Sequence, residues 1–133
     1  MLNIGMKVTH LDHFVLTVQD IEVTVAFYTS VMGMEKEVFG EGRIALKFGN
    51  QKINLHEQGN ELQPHANTPI PGSADLCFVT TMALDEAMNH VKNCGVEILI
   101  GPVIRTGATG SIRSFYFRDP DSNLIEIANE IYD

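Results

Sequence analysis

The stretch Phe117-Arg118-Asp119-Pro120-Asp121-Ser122-Asn123-Leu124-Ile125-Glu126-Ile127 decides how this chain is read, because it joins a tight turn to a buried strand that contains a carboxylate. Pro120 presets φ for the turn, and the Asp and Asn residues around it tolerate unusual backbone angles. Residues 124–128 then form an apolar run of strand length. A bare carboxylate in such a run would be neutralised, so Glu126 requires a cation, a metal or strong donors beside it.

Working outward, strand and helix periods alternate in an order that occurs twice. Residues 12–18 place Phe14, Leu16 and Val18 on one side and His13, Val15 and Thr17 on the other, the period of a strand. Asp20 suits a helix N-cap. Ile21, Val25, Tyr28 and Met32 recur at helical spacing, and Gly33 suits the position after the helix. Strands are expected at 36–39, 43–48 and 52–57. The order restarts with a strand at 74–80 and a helical face of Leu84, Ala87, Met88 and Val91 that ends at Cys94 and Gly95. Strands at 96–100, 111–118 and 124–129 follow, with residues 101–110 expected as a loop. Gly33 follows His13 by 20 residues and Gly95 follows Asp75 by 20, the best sign of an internal repeat. Residues 58–73 hold Pro64, Pro69, Pro71 and Gly72 and read as a surface linker.

These periods predict an α+β fold: two tandem βαβββ modules, 9–57 and 74–130 about the linker 58–73, forming a curved sheet around a cleft in one domain spanning 1–133. Composition agrees with a soluble chain of 133 residues that is 44% hydrophobic. No apolar run approaches the roughly 20 residues of a membrane span, and residues 1–8 lack the apolar core of a signal peptide, so a cytoplasmic location is expected. A formal charge of −8 disfavours nucleic acid or an anionic membrane as partner and leaves a small molecule or a protein. The two cysteines lack metal or disulfide spacing. Both are expected to be reduced, with Cys77 as a small core residue.

The strand Leu11-Asp12-His13-Phe14-Val15-Leu16-Thr17-Val18, the paired modules and the turn-plus-strand from Arg118 to Glu126 resemble the vicinal oxygen chelate superfamily. That group includes glyoxalase I, fosfomycin-resistance thioltransferases, methylmalonyl-CoA epimerase, extradiol dioxygenases and bleomycin-resistance proteins. Phe48-Gly49-Asn50-Gln51-Lys52-Ile53-Asn54-Leu55-His56-Glu57, Pro71-Gly72-Ser73-Ala74-Asp75-Leu76-Cys77 and Gly101-Pro102-Val103-Ile104-Arg105-Thr106-Gly107-Ala108 resemble, more narrowly, the glyoxalase-domain-containing protein 5 group. The resemblance implies metal ligands on the first and last strands of each module. His13 falls at the first ligand position and Glu126 at the closing one. His56, or Asn54 on the same face, lies where members carry a carboxylate or amide, and Asp75 lies where many have a second histidine.

Strand parity selects the same side chains independently, because His13, His56, Asp75 and Glu126 each have apolar neighbours pointing the other way. Two imidazoles and two carboxylates suit Zn²⁺, Ni²⁺, Fe²⁺, Mn²⁺ or Co²⁺. The plain alternatives are a satisfied structural histidine at 13, an Arg-paired carboxylate at 126, an exposed site at 56, and a residue beside a ligand or near a loop at 75. Arg105 and Thr106, in the expected loop, could grip a carboxylate or phosphate, and Tyr116 could line the cleft beside Ser114 and Arg118. Arg118 is expected to serve the turn, Phe115 and Phe117 to bury against helices, and His65 and His90 to be solvated or capping.

The resemblance implies a metal-dependent lyase, isomerase or transferase acting on a small oxygen-rich substrate. Glyoxalase-like isomerisation of a hemithioacetal is the named example, with Glu126 as the proton carrier. It equally implies a binding protein of the bleomycin-resistance kind that shields a ligand without chemistry, and, third, an extradiol-type dioxygenase built on His13, His56 and Glu126. A homodimer with clefts near its interface is the expected assembly.

Overall fold

The computed structural model describes residues 5–132. Its elements run β1 (His13–Val18), α1 (Ile21–Met32), β2 (Glu35–Phe39), β3 (Arg43–Phe48), β4 (Gln51–Glu57), β5 (Asp75–Val79), α2 (Leu84–Asn93), β6 (Ile100–Thr106), β7 (Ser111–Arg118) and β8 (Leu124–Glu130). They form two four-stranded mixed sheets, β1-β4-β3-β2 and β5-β8-β7-β6. The repeat is exact in pairing: β1 lies parallel to β4 as β5 lies parallel to β8, and the remaining pairs are antiparallel. His13 and Asp75 open equivalent edge strands. This is the α+β architecture of two βαβββ units that the periods predict.

Local chemistry sets the helix ends. The Asp20 carboxylate accepts from the Val23 N–H at 3.2 Å, and Gly33 takes the left-handed φ of 68° that ends α1. The apolar faces of both helices and both sheets merge into one core around Leu16, Tyr28, Leu46, Leu84, Phe115 and Phe117. Phe27 meets Phe117 with ring centroids 6.2 Å apart, and Phe48 meets Phe78 at 5.3 Å, so the two modules share this interior. Phe115 and Phe117 are fully buried, as expected. His90 also has a capping role, with its Nε2 lying 3.2 Å and 3.0 Å from the Ser30 and Val31 carbonyl oxygens at the end of the other module's helix.

The decisive turn carries more structure than its sequence suggests. Asp119 is buried, and its carboxylate accepts from the Tyr28 hydroxyl at 2.6 Å, the Asp121 and Asn123 N–H groups at 2.9 Å each, and the Asn123 side-chain amide at 2.8 Å. The Asn123 Oδ1 accepts from the Ala74 N–H at 2.9 Å, which ties the turn to the start of β5. Arg118 donates to the Ser122 carbonyl at 3.2 Å, the turn role expected of it.

Two expectations fail here. Of the expected loop 101–110 only residues 107–110 are one, because β6 runs through Ile100–Thr106 and puts Arg105 and Thr106 on an edge strand; of the strand expected at 96–100 only Ile100 is in it. Gly101 and Pro102 suggested a break, but a register shift between Ile100 and Val103 absorbs them at the sheet edge, where a missing N–H is tolerated. Glycine is needed at 101, since a Cβ there would sit 2.5 Å from that of Phe115. Cys77 is not a core residue either. It shares the outer face of β5 with Asp75 and is exposed.

Candidate functional site

Each sheet has one face in the core and one face turned away from the helices, and the alternation of β1, β4, β5 and β8 puts all the candidate ligands on these outer faces. His13 and Asp75 are exposed at the heads of β1 and β5. The Asp12 carboxylate lies 2.8 Å from His13 Nδ1, so His13 can donate there and keep Nε2 free, the arrangement that orients a ligating imidazole. Sequence reasoning missed Asp12 in this role, although its adjacency to His13 was visible.

On the first sheet, His56 is only 5% exposed. The linker is what covers it: Pro64, His65 and Ala66 roof a cavity of about 290 Å³ floored by Val15, Thr17 and His56. Burial, followed by the Arg43 guanidinium, lowers the pKa of His56 from its ordinary 6.5 and favours the neutral ring. Nδ1 of His56 and Oδ1 of Asn54 are buried with no partner.

The second sheet presents a larger cavity, about 580 Å³, whose lining includes Cys77, Arg105, Thr106, Tyr116, Glu126 and Glu130. Glu126 faces Cys77 on β5 and Tyr116 on β7 in register. Partial burial against the cavity wall, then the neighbouring Glu126 carboxylate, pushes the Cys77 thiol up to about 11, so it stays protonated near neutral pH. Arg105 donates from Nε to the Tyr116 hydroxyl at 3.1 Å, with its guanidinium 5.7 Å from the ring centroid. Among the described residues the only ion pairs are His13 with Asp12 and Arg113 with Asp85, so no arginine neutralises Glu126. Its Oε2 is buried without a partner, as is the Ser114 Oγ on the same face.

The four candidates are thus divided between the sheets. His56 lines one cavity and Glu126 another, and among the described residues of one chain no three His, Cys, Asp or Glu side chains are grouped to hold a metal. Orphaned buried atoms are rare in proteins. Four of the five among the described residues belong to Asn54, His56, Ser114 and Glu126, on the outer faces. Both halves offer N and O donors suited to a divalent cation.

Virulence protein STM3117 of Salmonella typhimurium is 50% identical to this chain over 129 residues, which cover 97% of this chain and 90% of that protein. An integron cassette protein from the mobile metagenome of V. cholerae superposes with a TM-score of 0.94 at 59% identity, covering 96% of this chain and 99% of its own. A mutant fosfomycin resistance protein, FosX of Listeria monocytogenes, complexed with Mn(II) and a dihydroxypropylphosphonic acid, matches with a TM-score of 0.62 at 26% identity, covering 92% of this chain and 90% of that one. Residues 10–127 match the family model described as the Glyoxalase/Bleomycin resistance protein/Dioxygenase superfamily, and the chain belongs to that family, the vicinal oxygen chelate proteins.

Proposed function

We propose that this protein is a metal-dependent lyase, isomerase or transferase for a small oxygen-rich substrate, working in a site that two copies of the chain complete together. The observation that carries this reading is the pairing of orphaned buried donors on two outer faces that do not meet within one chain. Leaving such atoms unsatisfied costs about 1–3 kcal/mol each, which a shared cation would offset.

In this reading His13 and either Asn54 or His56 come from one copy, and Glu126 with Asp75 from the other. His56 is suited to ligation because it is held neutral. When bound, a divalent ion supplies polarisation of a carbonyl or neighbouring oxygens. Glu126 moves the proton, since its carboxylate lines the cavity and no arginine claims it. Arg105 and Tyr116, already joined, hold an anionic or oxygen-rich part of the substrate against the same wall, with Thr106 beside them. The Mn(II) in the FosX complex favours a metal over a purely sequestering role.

Metal analysis of protein purified without chelator tests the reading. About one divalent ion per chain is expected, falling at least tenfold in His13→Ala and in Glu126→Gln. A metal-free parent that still binds small molecules would make it a binding protein instead.

A further inference from the structure

Ahead of β1, residues 6–11 form no helix or strand, and every one of them is exposed. Met6 is 94% and Val8 81% accessible. The order Met6-Lys7-Val8-Thr9 puts the two apolar side chains on one side and the polar ones on the other, the period of a half-buried strand. Yet among the described residues no strand pairs with it. The root of the segment is fixed, because the Gln51 side-chain amide donates to the Leu11 carbonyl at 2.9 Å.

A complementary surface is present on the same molecule but on the other module. β5 is an edge strand with one side unpaired, and its outer face shows Val79 at 55% exposure beside exposed Asp75. Charge matches as well. Residues 6–11 carry Lys7 and no carboxylate in a chain of net charge −8, whereas on the outer face of the second sheet β5 and its neighbour β8 carry Asp75, Glu126 and Glu130, with Arg105 on β6 at the opposite edge. An extended segment with alternating apolar side chains and a free sheet edge are the two components of strand addition.

We infer that residues 6–11 are an exchanged arm that adds along the free edge of β5 in a second copy of this chain. The inference rests on the two-copy site proposed above and extends it, since the arm leads directly into β1 and would carry His13 toward the Asp75 end of the partner. Symmetry doubles the contact, each copy giving one arm and receiving one. Met6 and Val8 are then covered by the partner, and Lys7 meets its carboxylates.

Sedimentation equilibrium of the full chain tests this with Met6→Asp and Val8→Asp combined. Both side chains are exposed in the single chain, so the fold should be kept, which circular dichroism checks. Val23→Asp with Val38→Asp, also exposed but on other surfaces, controls for added charge. The arm double variant should dissociate at least about tenfold more readily than the parent and the control. A dimeric parent whose dissociation is unchanged in the arm variant, or changed equally in the control, would overturn the arm and leave the two-copy site standing. A monomeric parent would overturn both.

Discussion

Asp119 and Glu126 are carboxylates seven positions apart at either end of one turn-and-strand, and their surroundings are opposite. Asp119 is buried with four donors on its two oxygens, from α1 and from its own turn. Glu126 has a buried oxygen with none. A satisfied carboxylate stabilises the fold that satisfies it, whereas an unsatisfied one leaves a polar group whose partner must come from water or a bound group. The same contrast separates Asn123, whose side chain bonds on both ends, from Asn54, whose Oδ1 is left bare.

The sharpest way to break the comparison is to exchange the costs. Asp119→Ala strands the Tyr28 hydroxyl and the Asn123 amide in the core and should lower unfolding free energy by about 3–4 kcal/mol in urea titration. A loss below about 1 kcal/mol would mean that water replaces the carboxylate and that Asp119 is no keystone.

A smaller effect is expected at His56. In the unfolded chain it titrates near its ordinary 6.5, and in the fold its value is lower, chiefly through burial. The unfolded state therefore binds more protons over that interval. The stability this gives is full above the ordinary value and is lost as pH falls through it toward the folded one. Urea titrations from about pH 8 to about pH 5 should show a shallower acid slope for His56→Gln than for the parent. An identical slope would place the acid sensitivity elsewhere.

Least of all should change when Glu126 becomes Gln. Stability should stay within about 0.5 kcal/mol of the parent, because the bond that Glu126 makes is with the Cys77 thiol, and a Gln side chain can still accept it. A large destabilisation would make Glu126 structural, like Asp119, and erase the contrast.

These contrasts also show what the sequence could express. Period and parity fixed the two modules, the core faces and the outward direction of His13, His56, Asp75 and Glu126, since each depends only on neighbours along one strand. β6 was misread because Gly101 and Pro102 are breakers in isolation, and only pairing with β7 reveals that an edge strand absorbs them. Cys77 was misplaced although parity with Asp75 put it on the outer face. Asp119 passed as a turn residue because its main partner, Tyr28, lies 91 positions away. Nor does parity say which outer faces meet. It gives each side chain a face, and the division of His56 and Glu126 between separate cavities emerges only when the two sheets are placed by their common core.

That division makes a complementation experiment the most direct test. His13→Ala and Glu126→Gln chains, each expected to bind little metal alone, are unfolded, mixed in equal amounts, refolded together and assayed for bound divalent ion. If the site takes His13 from one copy and Glu126 from the other, half the dimers are mixed and each has one intact site, so the mixture should recover about a quarter of the parent's metal. No more metal in the mixture than in the separate variants, with the refolded parent loading fully, would contradict a site shared between copies.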